Sequence, residues 1–418
     1  MLQHIIKIIW NERHANFLIW LELLVVSVCL LYLADFAVTK AWIYTRPMGI
    51  DTHKVANITF EELYSKHPNY VPREVDSTPT YDAITTLLQR IEQHPDVEAL
   101  CYCFSAFPYH GNSQTSIVRF RGTKSPEIED GSLFIVSPSY VEVFRLQNAT
   151  GTEQELKDVL ENGFTIPSES VAEGLGVTTK ELLNRNLVIE FYGDSILSDV
   201  KCVVRDMRRN EIDVDAPVIL RYEKDVLRRL LSRSPQSLQY GLRIKEGAQI
   251  TPRELFQELR PQLQVANWRV RNITPIEAMK EQSQAAFFNS LKLNAIYMSF
   301  LLICIFLGVI GTFWYRTQQR RAQMGLRLAM GETPIHLLGM YLTEGLLLLL
   351  TTLPLSIPAY CLFSAYGVLE DNFVTFFWRG PLTFLVAYAI LALLTLLAIW
   401  IPTRGAVRIS PALSIHEE

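Results

Sequence analysis

Three ionisable side chains stand inside long apolar runs: Glu22 and Asp35 in FLIWLELLVVSVCLLYLADFAV (17–38), and Glu344 in the run 336–369. A charge in hydrocarbon is costly, so such a residue marks function unless depth explains it. Depth does offer an explanation: Glu22 and Glu344 lie near the predicted cytoplasmic ends of their runs and Asp35 near the external end, within reach of headgroups and water. The sharper reading pairs Glu344 or Glu22 with Arg327 or Arg321, basic residues that follow the second run.

Elsewhere the residue types that do chemistry are dispersed. His53, His67, His94 and His110 form no H-x-x-x-H and have no carboxylate pattern beside them for a metal. Ser105, Ser168 and Ser170 lack the G-x-S-x-G setting of an activated nucleophile. The Glu61–Glu62 pair reads as solvated surface. No catalytic residue, metal site or cofactor is assigned, and the stretch between the first two runs reads as a folding and binding domain. A formal net charge of −4 and the lack of a basic, aromatic-rich patch argue against nucleic acid.

The elements that would carry these residues follow from hydropathy. Apolar runs at 17–38, 291–315, 336–369 and 381–401 each reach the ~20 residues that cross a bilayer. The 49% hydrophobic content averages this greasy part with ordinary soluble text. The expected order is a cytoplasmic amphipathic segment (1–16), transmembrane helix 1 (17–38), an external domain (40–289), transmembrane helix 2 (291–315), a cytoplasmic loop (316–335), transmembrane helices 3 (336–369) and 4 (381–401), and a cytoplasmic tail (402–418). The first run is too long for a signal h-region and has no A-x-A-like site, so it reads as a retained span. The segment before it either lies along the membrane or simply extends the span. Arg316, Arg320, Arg321 and Arg327 follow the second run, and Arg404 and Arg408 follow the fourth, while the third-to-fourth connection holds Glu370, Asp371 and only Arg379. That bias places both termini in the cytoplasm. Pro354 and Pro358 are expected to kink the third span.

In the external domain, 79–95 has Tyr81, Ile84, Leu87, Leu88 and Ile91 at helical spacing. VEALCYCFSAF and TSIVRFRG follow as strands. YGLRIKEG and NWRVRNIT are later strands, flanking a helix at 251–263 with N-cap Thr251, a following Pro252 and Glu254 three residues on. This α-β-β and β-α-β text predicts one α+β sandwich with helices on one face of a sheet. Residues 129–234 would be an insertion, with strands at LFIVS, LVIEFYG, VKCVVRDM and PVILRYE and short helices at SYVEVFRL, SESVAEGLG and EKDVLRRLLS. Cys29, Cys304 and Cys361 lie in apolar runs as small fillers. Cys101 and Cys103 share a strand face and are poorly placed to bridge each other; a bridge from one of them to Cys202 stays open in an oxidising compartment.

The most specific text is RTQQRRAQMGLRLAMGETPIHLLGMYLTEGLLLLL, where Gly325 and Gly331 flank LRLAM and allow a short helix along the membrane. Arg321, Gln323, Met324, Gly325, Leu326, Arg327, Ala329, Met330 and Gly331 resemble the loop R-x-x-E-I-G-[IL]-R-x-A-[LM]-G-A-[ST] of the FtsX-like permease family of ABC transporters, of MacB type. Gln323 replaces the usual Glu and Glu332 the usual Ala. The tail, through Pro402, Ala406, Pro411, Leu413 and Glu417, is similar to the family ending, as are SPSYVEVFRLQ, FTIPSESVAEGLGVTT and VKCVVRDMRRNEIDVDAPVI to stretches of MacB-type periplasmic domains.

The resemblance implies a membrane α-helical protein of four transmembrane helices, one plus three. It also implies a large periplasmic α+β domain made of a MacB-like porter part and an inserted part. The nine loop residues would be a coupling helix seated in a cytoplasmic ABC ATPase. No G-x-x-x-x-G-K-[ST] occurs in the sequence, so ATP would be bound by a separate partner subunit. A dimer with a second copy or a paralogue is implied, in the inner membrane of a bacterium, and a periplasmic adaptor and outer-membrane channel are compatible with the family. The implied function is mechanotransmission, the use of cytoplasmic ATP hydrolysis to move the periplasmic domain for export of a peptide, a drug-like molecule or a lipoprotein. The alternative is an FtsX-like signalling permease that regulates an envelope hydrolase.

Overall fold

The computed structural model describes residues 13–407 apart from 73, 112, 123–125, 151–152, 184, 192, 214–215 and 370–376. The amphipathic segment expected at 1–16 is outside the described residues up to position 12, as are Glu370, Asp371 and the tail from 408. The chain divides into a helical unit (Met1–Tyr44 with Asn289–Glu418) and a sheet unit (Thr45–Phe288).

The described chain starts with helix α1 (Arg13–Thr45) and then strand β1 (Val55–Glu62). Next come α2 (Thr80–Glu92), β2 (Val97–Phe104), β3 (Thr115–Phe120), β4 (Glu127–Val136), α3 (Tyr140–Phe144) and α4 (Glu153–Glu161). They are followed by β5 (Ile166–Pro167), α5 (Glu169–Gly174), α6 (Thr179–Leu182), β6 (Asn186–Phe191), β7 (Asp194–Asp199) and β8 (Val218–Arg221). The sheet unit ends with α7 (Lys224–Arg233), β9 (Gln239–Ile244), α8 (Pro252–Leu259), β10 (Gln264–Val265) and β11 (Trp268–Pro275). Helix α9 (Ile276–Gln319) leads on to α10 (Arg321–Ala329), α11 (Pro334–Leu350), α12 (Leu353–Ala365) and α13 (Arg379–Val407).

Among the described residues, four helical stretches are long and apolar enough to cross a membrane: Asn16–Thr45, Ile276–Gln319, Pro334–Ala365 and Arg379–Arg404. At 1.5 Å per residue α9 is ~66 Å long, about twice a hydrocarbon core, and its first turns belong to the sheet unit. The third stretch is two helices. Thr351 and Thr352 interrupt it, Pro354 sits in the first turn of α12 and Pro358 lies inside that helix. Leu23, Leu30 and Leu31 of α1 pack with Val309 and Phe313 of α9, Leu348 of α11 and Leu391 of α13 to form the core of the helical unit.

The sheet runs β10-β11-β1-β9-β2-β4-β3-β6-β7, with β8 parallel to β4 and antiparallel to β5. Helix α2 buries Ala83, Ile84, Leu87, Leu88 and Ile91, the one-sided stripe its sequence prescribes. At ~1.5–3 kcal/mol per buried aliphatic side chain, this stripe is what docks the helix. It meets Leu100 of β2, Leu242 of β9, Leu227 and Leu231 of α7, and Leu255 of α8 in one core. Thr251 and Glu254 form the expected capping box on α8.

Several expectations change. Helices cover both faces, not one. Cys101, Cys103 and Phe134 point away from Leu100 and pack against Val141, Val143 and Phe144 of α3 and Leu156 of α4 in a second core. Strands buried on both sides require a second cover. Strand β3, which follows β2 in sequence, pairs with β4 and β6. The stretch 200–207 makes isolated bridges from Val200 and Val204 and no ladder. Its backbone is taken up by the turn at Ala149, which donates to Val203 O (2.9 Å), and by the short strand β5, where Pro167 O accepts from Val204 (3.0 Å). Strand β1 (Val55–Glu62) is not among the expected strands; the text before it, RPMGIDTH, is dense in turn-forming residues. All six cysteines are free, and Cys101, Cys103 and Cys202 are buried in the second core.

Gly49 has φ +74°, and a Cβ there would lie 1.9 Å from the Asp206 carbonyl oxygen. Gly49→Ala is therefore expected to destabilise the sheet unit by about 2 kcal/mol or more. Thermal unfolding of the detergent-solubilised protein, followed by tryptophan fluorescence, checks this; an unchanged midpoint would mean that the close approach is not a constraint.

Candidate functional site

Helix α9 ends at Gln319, Arg320 makes the turn, and α10 follows at once. Gly331 then takes φ +95°, a conformation glycine adopts without strain, and Thr333 caps α11 by accepting from His336 N (3.4 Å). Met324 and Gly325 are buried, Met324 packing on Leu337 and Met340 of α11. Gln323, Leu326, Ala329, Met330 and Gly331 are exposed, Leu326 at 56% and Met330 at 74%. Arg321 and Arg327 are half-buried. The nine predicted loop residues thus separate into a seat and an outward face at spacing i, i+3, i+7.

Glu344 lies behind this helix, 3% exposed. Its carboxylate accepts from Arg316 and from Arg320 Nη1 (2.9 and 3.3 Å), and the Arg320 guanidinium lies 5.8 Å from the Tyr341 ring centre. The pairing expected from sequence, with Arg327 or Arg321, is replaced by one with Arg316 and Arg320. These two are four apart and share a face of the closing turn of α9. Arg327 instead reaches Met340 Sδ (3.1 Å) and Glu332 (3.8 Å). Glu22 is half-buried and faces Gly308 and Thr312 of α9. A cavity of about 20 Å³ adjoins the cluster, lined among others by Glu344, Arg320, Met324 and Thr403. It has room for one water, and the buried Thr403 hydroxyl makes no hydrogen bond among the described residues.

Asp35 is 1% exposed, so it is not solvated by headgroups as its depth suggested. Arg379 donates to it from Nη2 (2.6 Å) and Nε (3.1 Å), Tyr360 from its hydroxyl (2.7 Å) and Thr383 from Oγ1 (3.3 Å). This joins α1, α12 and α13 through one carboxylate. A second polar contact between the same helices links Ser27 to Ser356 (2.8 Å), and Tyr388 to Ser356 and Thr352 (3.0 Å each). Sequence reasoning missed Arg379, Tyr360, Ser27 and Ser356 as a group; lone polar residues in apolar runs were the available signal. Among the described residues no three His, Cys, Asp or Glu side chains converge as a metal site would.

Asp35→Asn removes the carboxylate that Arg379, Tyr360 and Thr383 all bind at a site 1% exposed, and breaking such a buried pair typically costs ~3–5 kcal/mol. The double variant Asp35→Asn/Arg379→Gln is expected to recover part of that loss, giving a coupling of about 2 kcal/mol in a double-mutant cycle of unfolding in mixed micelles. Additive losses would show that the pair is not an energetic unit.

Residues 295–411 match the family of the FtsX-like permease C-terminal domain. Among solved structures, a domain assigned to a permease protein of Porphyromonas gingivalis is 15% identical, with a TM-score of 0.35, and the match covers 54% of this chain and 92% of that one. The periplasmic region of MacB from Actinobacillus actinomycetemcomitans is 13% identical, with a TM-score of 0.33, and the match covers 55% of this chain and 94% of that one. No curated protein sequence matches. The residues similar to the FtsX-like permease C-terminal domain, 295–411, contain the short helix α10 and the apolar helices around it.

Proposed function

We propose that this chain is the permease subunit of an ABC transporter. In this reading α10 receives a separate cytoplasmic ATPase, and the apolar helices pass its closure to the sheet unit in the periplasm. The observation that carries the reading is the division of α10. One side is packed on Leu337 and Met340, while Leu326 and Met330 stay exposed on the other, beside exposed Ile335. An apolar face on a short helix in an arginine-rich loop suits a protein groove. The family match over 295–411 supports the same assignment.

The buried Arg316–Glu344–Arg320 cluster makes the seat stiff. Force on α10 is then delivered to α9 and α11 together, since both ends of the cluster are dry and charged. Arginine bias supports a loop and both termini inside the cell. The sheet unit then faces the periplasm, where it would act on a peptide, a drug-like molecule or a lipoprotein already outside the inner membrane. A second permease copy or a paralogue completes the assembly, with an adaptor and an outer-membrane channel as candidate further partners.

A mild-detergent pull-down of the tagged protein from its native membranes, with mass spectrometry and an ATPase assay, tests this. Wild type is expected to retain a nucleotide-binding subunit and Gly331→Pro to lose it, because proline cannot adopt φ +95°. Glu344→Gln is expected to keep the ATPase bound while ATP no longer drives transport. The absence of any ATPase from the wild-type eluate would sink the proposal, and an envelope hydrolase in place of transport partners would redirect it to signalling.

A further inference from the structure

The sheet unit is joined to the rest of the chain by the incoming segment 46–51 and the outgoing helix α9. One loop of the inserted part, 208–213, holds both. Arg208 is 4% exposed. Its backbone N donates to Met48 O (2.8 Å), and its guanidinium donates to Arg46 O and to Pro47 O (3.2 Å). The same guanidinium closes the loop on itself through Glu211 O and Asp213 O (3.2 Å each). Two residues on, Asn210 accepts from Gln284 Nε2 (3.0 Å) and donates to Ser283 Oγ (3.3 Å). Glu211 accepts from Lys280 Nζ (2.6 Å), from Gln284 Nε2 (2.6 Å) and from the Tyr109 hydroxyl (2.9 Å). Gln284 is 2% exposed, so part of this network is dry. Tyr109 is held at φ +59°, and its backbone N donates to Arg209 O (2.9 Å).

We propose that residues 208–213 are a mechanical clasp that ties the incoming segment 46–49 to α9 at 280–284, so that displacement of either reaches the other and the inserted part. The segments already neighbour each other through the β1–β11 ladder, in which Ala56 faces Pro275. A ladder end can fray and twist. The clasp adds charge-assisted bonds from a third segment, which resist both movements. It also gives the insertion a direct share of the motion, because 208–213 continues from 200–207, whose backbone is bonded to β5 and the turns near it. The clasp itself rests on geometry alone; its use in moving a substrate rests on the transporter reading.

Hydrogen–deuterium exchange of the full chain in lipid nanodiscs, read by mass spectrometry, tests it. Lys280→Ala/Gln284→Ala removes the side chains on α9 that donate to Glu211 and Asn210. Exchange in peptides covering 45–51 and 203–213 is expected to rise about tenfold. Lys157→Ala, which breaks the Lys157–Glu142 pair elsewhere in the unit, is expected to leave those peptides unchanged. A rise confined to 276–288, or an equal rise in Lys157→Ala, overturns the clasp. Should the double variant lose protection throughout β1, β2 and β9, Gln284→Ala alone makes the same comparison with the fold intact. Failure to recover an ATPase would end the transporter reading and leave this result standing, and loss of the clasp would leave the transporter reading untouched.

Discussion

A carboxylate in a dry helical bundle has to find a cation and hydrogen-bond donors, because an unpaired buried charge costs more than most packing contacts return. The helical unit is organised by two such requirements. Asp35 takes Arg379, Tyr360 and Thr383, which sets the mutual placement of α1, α12 and α13. Glu344 takes Arg316 and Arg320, which sets α11 against the end of α9. Apolar packing alone would let these helices slide or rotate at little cost, since lipid and neighbouring side chains are equally apolar. The ion pairs remove that freedom, and α10 inherits a defined position because it begins one residue after Arg320.

The sheet unit meets the same requirement with the roles reversed. Its most buried charges are arginines, and backbone carbonyls, with the Asp51 carboxylate for Arg243, satisfy them. Arg243 is 0% exposed and donates to Val143 O (2.6 Å), Asp51 O (2.7 Å) and His53 O (3.0 Å). Arg208 does the same for Arg46 O and Pro47 O. Segment 46–53 is neither helix nor strand, so its carbonyls lack ladder partners, and buried carbonyls need donors. A guanidinium has five donors in a rigid fork and can serve several carbonyls at once. The two arginines therefore stand in for secondary structure where the chain passes from α1 to β1.

Much of the sheet unit was legible where one local signal dominated. The α2 stripe, the Thr251 capping box and the alternation in β2 each depend on residues within a few positions of one another. Strand β1 was missed because Val55, Ile58 and Phe60 follow text dense in Pro, Gly and Asp, which reads as loop. The extended conformation expected at 200–207 failed for a different reason. Its apolar residues are buried on both sides as in a strand, yet its backbone partners are the two-residue strand β5 and the turns near it, which no local pattern reveals. Helices on the second face were likewise invisible, because Cys101 and Cys103 look like one side of an ordinary alternation until α3 is seen to cover them.

The amino-acid sequence by itself determined the four apolar stretches, the arginine bias around α10, the glycines that free its ends, and the caps and stripes of the sheet unit. All of these arise from hydrophobicity or backbone preference summed over neighbouring residues. Only the tertiary structure decided which arginines meet Glu344, that Asp35 is neutralised by Arg379 from 344 positions away, and that 208–213 grips both segments that leave the sheet. Those pairings depend on which turns of distant elements come within about 3 Å of one another, a property of packing angles that local periodicity does not encode.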